Sequence, residues 1–127
     1  MQRNVINAKD APAPVGGYAQ AVAVSGAART LYVSGQIPVD AEGRCPAGFE
    51  DQCRLAWRNV LAQLAAADMS VENLAKVTIF LSDRRYALEN RAIRTEMLGS
   101  HQPALTVIIT GIFDEAWLLE IEAVAVA

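Results

Sequence analysis

The chain has 127 residues, 53% of them hydrophobic and 20% charged, and its formal net charge is −3. A chain of this length suits one core, so we predict a single domain over residues 1–127. No Lys/Arg run or basic stripe marks a nucleic-acid partner. No apolar run approaches the ~18 residues of a membrane span. The N-terminus lacks an apolar signal core, which favours the cytoplasm.

The ligand inventory for a metal is small. Cys45 and Cys53 are the two cysteines, and His101 is the one histidine. A zinc site needs about four ligands, which this set could supply only with carboxylates, so we predict no metal. Two reduced thiols are the favoured interpretation, and a disulfide between them stays open.

The hydrophobic pattern predicts six strands and two helices. A Pro- and Gly-rich loop separates an N-terminal strand from Tyr18–Ser25, which is predicted to form a hairpin with Thr30–Ser34. Apolar residues then recur at intervals of three and four, first from Glu50 to about Ala67 and again in a second helix with Leu88, Ala92, Ile93 and Met97 inside. This second helix spans Tyr86–Leu98. The remaining predicted strands are Leu74–Leu81, Ala104–Thr110 and Trp117–Val126.

The order β-ββ-α-β-α-ββ predicts an α+β fold, in which one mixed sheet carries both helices on one face. The other face would then be uncovered. Ile108, Ile121 and Val124 are too apolar for a fully solvated face, and a large exposed apolar surface usually marks an association site. We therefore expect an oligomer.

Short blocks along nearly the whole chain match one known pattern. They read APVGGYAQAV at 13–22, LYVSGQIPVD at 31–40, VTIFLSD at 77–83, HQPA at 101–104 and EIEA at 120–123. In this order the blocks resemble the RidA family, the YjgF-type or L-PSP proteins. The resemblance implies a chorismate-mutase-like α+β fold, a homotrimer with inward-facing sheets, and small-metabolite clefts between subunits. It also implies hydrolysis of imines and enamines such as 2-aminoacrylate to 2-keto acids and ammonia, without metal or cofactor.

Four candidate site residues follow from the matched blocks. Glu120 resembles the family's water-positioning glutamate and is the candidate catalytic residue. Tyr18 resembles the tyrosine of the cleft, and Ser34 and Gly35 resemble a wall whose backbone meets the ligand. Each has a plainer interpretation: Glu120 as a solvent-facing residue of an alternating strand, Tyr18 as a half-buried tyrosine, and Ser34-Gly35 as strand-end geometry.

Leu105 departs from the family pattern. In the family's deaminases an arginine follows the Pro-Ala pair and binds the substrate's carboxylate. A guanidinium can neutralise and orient a carboxylate, whereas an isobutyl group cannot. Each charge-assisted hydrogen bond lost is worth about 1.5–3 kcal/mol. The sequence therefore predicts a cleft that binds or hydrolyses a metabolite other than standard 2-aminoacrylate.

Arg91 is the candidate replacement anchor, because the resemblance places it on the second helix facing the cleft. The plainer interpretation is that Arg91 and Arg94 belong to an exposed, charged helix face. Other functions stay open: an active enamine/imine deaminase that uses Arg91, or a protein-interaction or chaperone-like role. The endoribonuclease label attached to the family is disfavoured by the acidic composition.

Overall fold

The computed structural model describes all 127 residues. The strands follow the predicted order, with two helices between them. A single helical turn, Arg84–Tyr86, precedes the second helix, and Asp83 caps it by accepting a hydrogen bond from the Arg85 amide at 2.9 Å. The elements are β1 (Gln2–Ile6), β2 (Ala21–Ser25), β3 (Thr30–Gln36), α1 (Phe49–Ala66), β4 (Leu74–Leu81), α2 (Ala87–Leu98), β5 (Ala104–Ile109) and β6 (Leu119–Val126).

The main sheet has four strands in the order β3-β6-β4-β5. The β4–β5 pair is parallel, whereas β6 is antiparallel to both β3 and β4. The parallel pair is possible because α2 supplies the long crossover that it requires. The predicted α+β class, with two helices packed against a mixed sheet, is confirmed.

The predicted hairpin between Tyr18–Ser25 and Thr30–Ser34 is wrong. β2 pairs instead with β1, in a separate sheet of two strands. β3 pairs with the C-terminal strand, and the Ala28 and Arg29 amides both donate to the Ala127 carbonyl, at 2.8 and 2.9 Å. The short turn at 26–29 is compatible with a hairpin, but the backbone hydrogen bonds of these two strands are made with strands from elsewhere in the chain.

Helix α1 packs its apolar stripe against β3 and β6. Trp57 belongs to this contact and is fully buried. The stripe faces the side chains of β4 and β6 that point to the same side of the sheet, and together they form one continuous core. The buried residues of α1 are Phe49, Gln52, Cys53, Ala56, Trp57, Val60 and Leu64.

Helix α2 is rotated from its predicted orientation. Leu88 is 78% exposed and Ala92 is also exposed, although both are predicted to be inside. The buried residues of α2 are Asn90, Ile93, Arg94 and Leu98. The rotation brings the polar side chains of Asn90 and Arg94 to the inner face, where a pattern of apolar residues alone does not place them.

The sheet face opposite the helices is bare. Tyr32 is 78% exposed there, and Ile108, Phe80 and Val124 share this face by strand register. Ile121, predicted to lie on the bare face, points instead into the core and is fully buried. None of the helices is long and apolar enough to cross a membrane.

Two substitutions in α2 test its orientation. Ile93→Ala removes a buried side chain and should lower the free energy of unfolding by about 2–4 kcal/mol. Leu88→Ala, on the same helix, should change it by no more than about 0.5 kcal/mol, because Leu88 is exposed. Urea denaturation of the two variants measures both values, and equal losses would contradict this orientation of α2.

Candidate functional site

The predicted site residues fall into two groups on opposite faces of the sheet. Leu105 pairs with Val77 of β4, which faces the helices, whereas Glu120 pairs with Phe80 on the bare face. Successive strand residues alternate between faces, so Val77 and Phe80 point to opposite sides. The first group contains Ser34, Gly35 and Glu120, and the second contains Tyr18, Arg91 and Leu105.

The first group, here called the glutamate group, depends on a glycine. A Cβ placed on Gly35 would overlap the carboxylate of Glu120, whose Cδ would lie only 2.7 Å away. Gly35 therefore lets the Glu120 side chain lie directly against the β3 backbone. Ser34, the chain neighbour of Gly35, is exposed on the bare face.

Buried Gln52 of α1 fixes the segment that leads to Glu120. Its Nε2 donates to the carbonyls of Pro46 and Ala116 at 2.8 and 2.9 Å. Its Oε1 accepts from the Leu118 amide at 2.8 Å. These bonds satisfy a fully buried amide and hold the turn before β6, so they help to position Glu120 along its strand.

The second group lines a cavity of about 290 Å³, here called the arginine cavity. Its floor is apolar and comes from β5, through Leu105 and Val107. Two arginines of α2, one helical turn apart, form the opposite side, and no acidic side chain lines the cavity. The lining residues are Val15, Tyr18, Gln20, Arg91, Arg94, Leu105 and Val107.

The loop before β2 closes the arginine cavity. The Ala19 amide donates to the Pro103 carbonyl at 2.9 Å, which brings Tyr18 beside the start of β5. Gly16 has a φ of +85°, a conformation that favours glycine, and its carbonyl accepts from Arg94 Nη2 at 2.8 Å. The Tyr18 hydroxyl accepts from the Val15 amide at 3.2 Å. Helix α2 and the loop thus hold each other around the cavity.

Arg94 is the least expected residue of the site. Only 4% of this residue is exposed, and its side chain forms no ion pair. Its Nε has no hydrogen-bond partner. Burial lowers the pKa of the guanidinium, the neighbouring charge of Arg91 lowers it further, and Tyr18 acts in the opposite direction. The guanidinium lies 5.9 Å from the centre of the Tyr18 ring, within cation–π range.

Other titratable groups have structural roles. His101 Nε2 lies 2.7 Å from the Leu74 carbonyl and so ties the loop before β5 to the start of β4. Both cysteines are free, and burial raises the pKa of Cys53 to about 12. No three His, Cys, Asp or Glu side chains lie close enough together to hold a metal ion.

Known proteins are similar to this chain in sequence and in fold. The profile of the family described as "Endoribonuclease L-PSP" matches residues 8–127. The chain belongs to the RidA family. A RutC family protein from Pyrococcus horikoshii is 34% identical to this RidA-family chain over 97% of each chain. A 2-iminobutanoate/2-iminopropanoate deaminase from Rattus norvegicus is 35% identical over 98% of this chain and 90% of its own length.

A solved structure gives the same relationship. The crystal structure of Escherichia coli TdcF with bound serine superposes with a TM-score of 0.73 at 32% identity, covering 98% of each chain. The resemblance inferred from the sequence blocks is therefore confirmed at the level of the family. That relative's structure holds a small molecule, serine.

Arg94 is a site residue that the sequence interpretation missed, because it assigned this residue to an exposed, charged face. Arg91 is exposed, as that interpretation holds, yet it lines the arginine cavity beside Leu105. One signal could have revealed Arg94. It lies four residues after Asn90 and four before Leu98, so the three share one helix face.

Leu105→Arg tests the electrostatics of the arginine cavity. A third guanidinium beside Arg91 and Arg94 lacks a carboxylate partner, so the free energy of unfolding should fall by about 1–3 kcal/mol at low ionic strength. Part of this loss should be recovered in roughly 0.5 M NaCl, where charge repulsion is screened. Denaturation at both salt concentrations measures the effect.

The volume-matched control is Leu105→Met, which should cost less than about 1.5 kcal/mol at either salt concentration. A Leu105→Arg protein as stable as the wild type at low salt would show that the arginines of α2 do not charge this cavity.

Proposed function

We propose that the chain hydrolyses the imines or enamines of 2-amino acids to 2-keto acids and ammonia, without metal or cofactor. Family membership supports the reaction class, since one relative is named as a 2-iminobutanoate/2-iminopropanoate deaminase. The observation that carries the proposal for this chain is the arginine cavity, where Arg91 and Arg94 lie across from Leu105, the position at which the family resemblance implies an arginine. Cationic groups for a substrate carboxylate are thus present despite Leu105.

The reaction needs only water and proton transfer. The imine reacts in its N-protonated form. A water oxygen bonds to the C=N carbon while the π electron pair moves to nitrogen, and the Glu120 carboxylate accepts the proton that the water loses, which leaves a neutral carbinolamine. Glu120 then returns that proton to the amine nitrogen and takes up the hydroxyl proton as the C=O bond forms and the C–N bond breaks, and the released ammonia carries this last proton away as ammonium. An enamine first takes a proton from solvent on carbon, which gives the N-protonated imine.

Glu120 is the proposed catalytic residue because it is held close to a polar backbone. Its carboxylate lies against Gly35, at the point where a register shift between Val33 and Gln36 interrupts the β3–β6 pairing. Such irregularities leave backbone groups without ladder partners. Ser34 and Gly35 can therefore offer backbone hydrogen bonds to a substrate beside the carboxylate.

The complete site is proposed to form between two copies of the chain, in a homotrimer. Glu120 and Leu105 point to opposite faces of one sheet, so one copy alone does not bring the two groups together. The bare face supports association, since Tyr32, Phe80, Ile108 and Val124 leave apolar surface on it. The glutamate group of one copy would then meet the arginine cavity of its neighbour.

The substrate is proposed to differ from standard 2-aminoacrylate. Leu105 and Val107 make the cavity floor apolar, so a carboxylate meets cations only on the α2 side. A substrate whose carboxylate binds the arginines of α2 would have a different orientation from one bound by an arginine on β5. Its carbon chain would contact the apolar floor.

Glu120→Gln tests the reaction. Imines generated in situ by an amino acid oxidase should be hydrolysed by the wild-type protein, and the appearance of 2-keto acid measures the rate. The variant should lose about 10²–10⁴ in kcat/KM, because an amide cannot accept the proton. Gly35→Ala should also lower the rate, since the new methyl group displaces the Glu120 carboxylate.

The control is Glu72→Gln, an exposed glutamate in the short turn before β4, which should keep the wild-type rate. A Glu120→Gln protein with full activity would remove Glu120 from the mechanism, and a wild-type protein with no activity on any 2-imino acid would contradict the proposed function.

Mixing two inactive variants tests the shared site. Glu120→Gln subunits and Arg91→Gln/Arg94→Gln subunits should each be inactive alone. After joint refolding at equal ratios, about a quarter of all interfaces should be intact, because one side carries Glu120 in half of them and the other side carries both arginines in half of those. Recovery of keto acid formation supports the shared site, and activity no greater than in the separate variants contradicts it.

A further inference from the structure

The arginine cavity holds more positive charge than one carboxylate needs. Arg91 and Arg94 both line it, and neither forms an ion pair with any acidic residue of the chain. Arg54 of α1 shows the contrast, because it pairs with both Glu50 and Glu96. Two guanidiniums on one side of a small cavity, without a carboxylate, repel each other unless an anion is present.

Arg94 is a buried residue of the cavity wall and is not free in solvent. It is 4% exposed, its Nη2 is bound to the Gly16 carbonyl, and its Nε remains without a partner. A buried charge in this state is unfavourable until it is paired. The guanidinium is also held in place by that bond and by the Tyr18 ring, so little side-chain entropy is lost when it binds an anion.

We infer that Arg94 is the carboxylate anchor that replaces the absent arginine at Leu105, and that Arg91 adds a second anion contact which makes the cavity selective for dicarboxylates. The substrate class is then the 2-imino form of a short acidic amino acid. The inference rests on the proposed function for the reaction, but it concerns binding, which can be measured separately.

The shape of the cavity agrees with such a ligand. Its volume of about 290 Å³ is small, at the lower end for ligand pockets. The two carboxylates would lie along α2 toward Arg91 and Arg94, while the methylene carbons contact Leu105 and Val107. A dianion relieves the repulsion between both guanidiniums, whereas a monoanion neutralises only one.

Calorimetric titration with two stable 2-keto acids tests the inference. The wild-type protein should bind 2-oxoglutarate roughly tenfold more tightly than pyruvate. Arg91→Gln should bring the two affinities within about twofold, because the second contact is lost. Arg94→Leu should weaken the binding of both acids roughly ten- to hundredfold.

Arg94 also holds the Gly16 carbonyl, so its loss could act through the loop. The double variant Arg94→Leu/Leu105→Arg separates these roles, because it moves the guanidinium to β5 without restoring the bond to Gly16. It should recover 2-oxoglutarate binding to within roughly fivefold of the wild type. Failure of this variant to recover binding, with a thermal melt that remains cooperative, would make Arg94 a loop-holding residue only.

The control is Arg58→Leu, an exposed arginine of α1, which should leave both affinities unchanged. Equal binding of both acids by the wild type, or full binding by Arg94→Leu, overturns the inference and leaves the proposed reaction standing. If the protein binds the two acids as predicted but hydrolyses no 2-imino acid, the proposed reaction would be wrong and the inference of a dicarboxylate-binding cavity would still hold.

Discussion

Burial of Trp57 and its neighbours against one face of the sheet is the contact on which the rest of the molecule depends. The α1 stripe and the inward residues of β4 and β6, such as Ile79 and Ile121, are fully buried in it. Such a core supplies most of the stability of a small domain. Because both helices lie on this one face, the opposite face has no cover within the chain, and the position of every candidate site residue follows from that asymmetry.

The asymmetry divides the chemistry between two faces. Strands β4 and β5 run parallel in register, so Leu105 must lie beside Val77 on the helix side. Strand β6 runs antiparallel on the other flank of β4, and its alternation turns Glu120 to the bare side. The proposed acid–base group and the proposed anion-binding groups are therefore separated by the thickness of a sheet, and a second copy of the chain is the simplest means of joining them.

Within the cavity, Leu105 lies across from cationic groups on the facing helix. Leucine at this position leaves an apolar floor, while the orientation of α2 presents Arg91 and Arg94 from across the space. The two features are complementary, since an additional arginine at Leu105 would crowd three positive charges into one small cavity. In the proposed function, an anion is therefore held from the α2 side, and this direction would select the shape of anion that fits.

The sequence alone determined the order of the elements, the α+β class and the family, because hydrophobic period and short motifs are local properties of the chain. It also singled out Leu105, Glu120 and Gly35. Only the tertiary structure decided that β3 pairs with β6 rather than β2, since strand partners depend on contacts between residues far apart in the chain. The same holds for Arg94, whose burial depends on how α2 rotates against the core and on the Gly16 carbonyl that receives it. The sequence pattern alone predicts a solvent-facing arginine at this helix position, because the contacts that partly stabilise its buried charge, the Gly16 carbonyl and the Tyr18 ring, come from a distant segment.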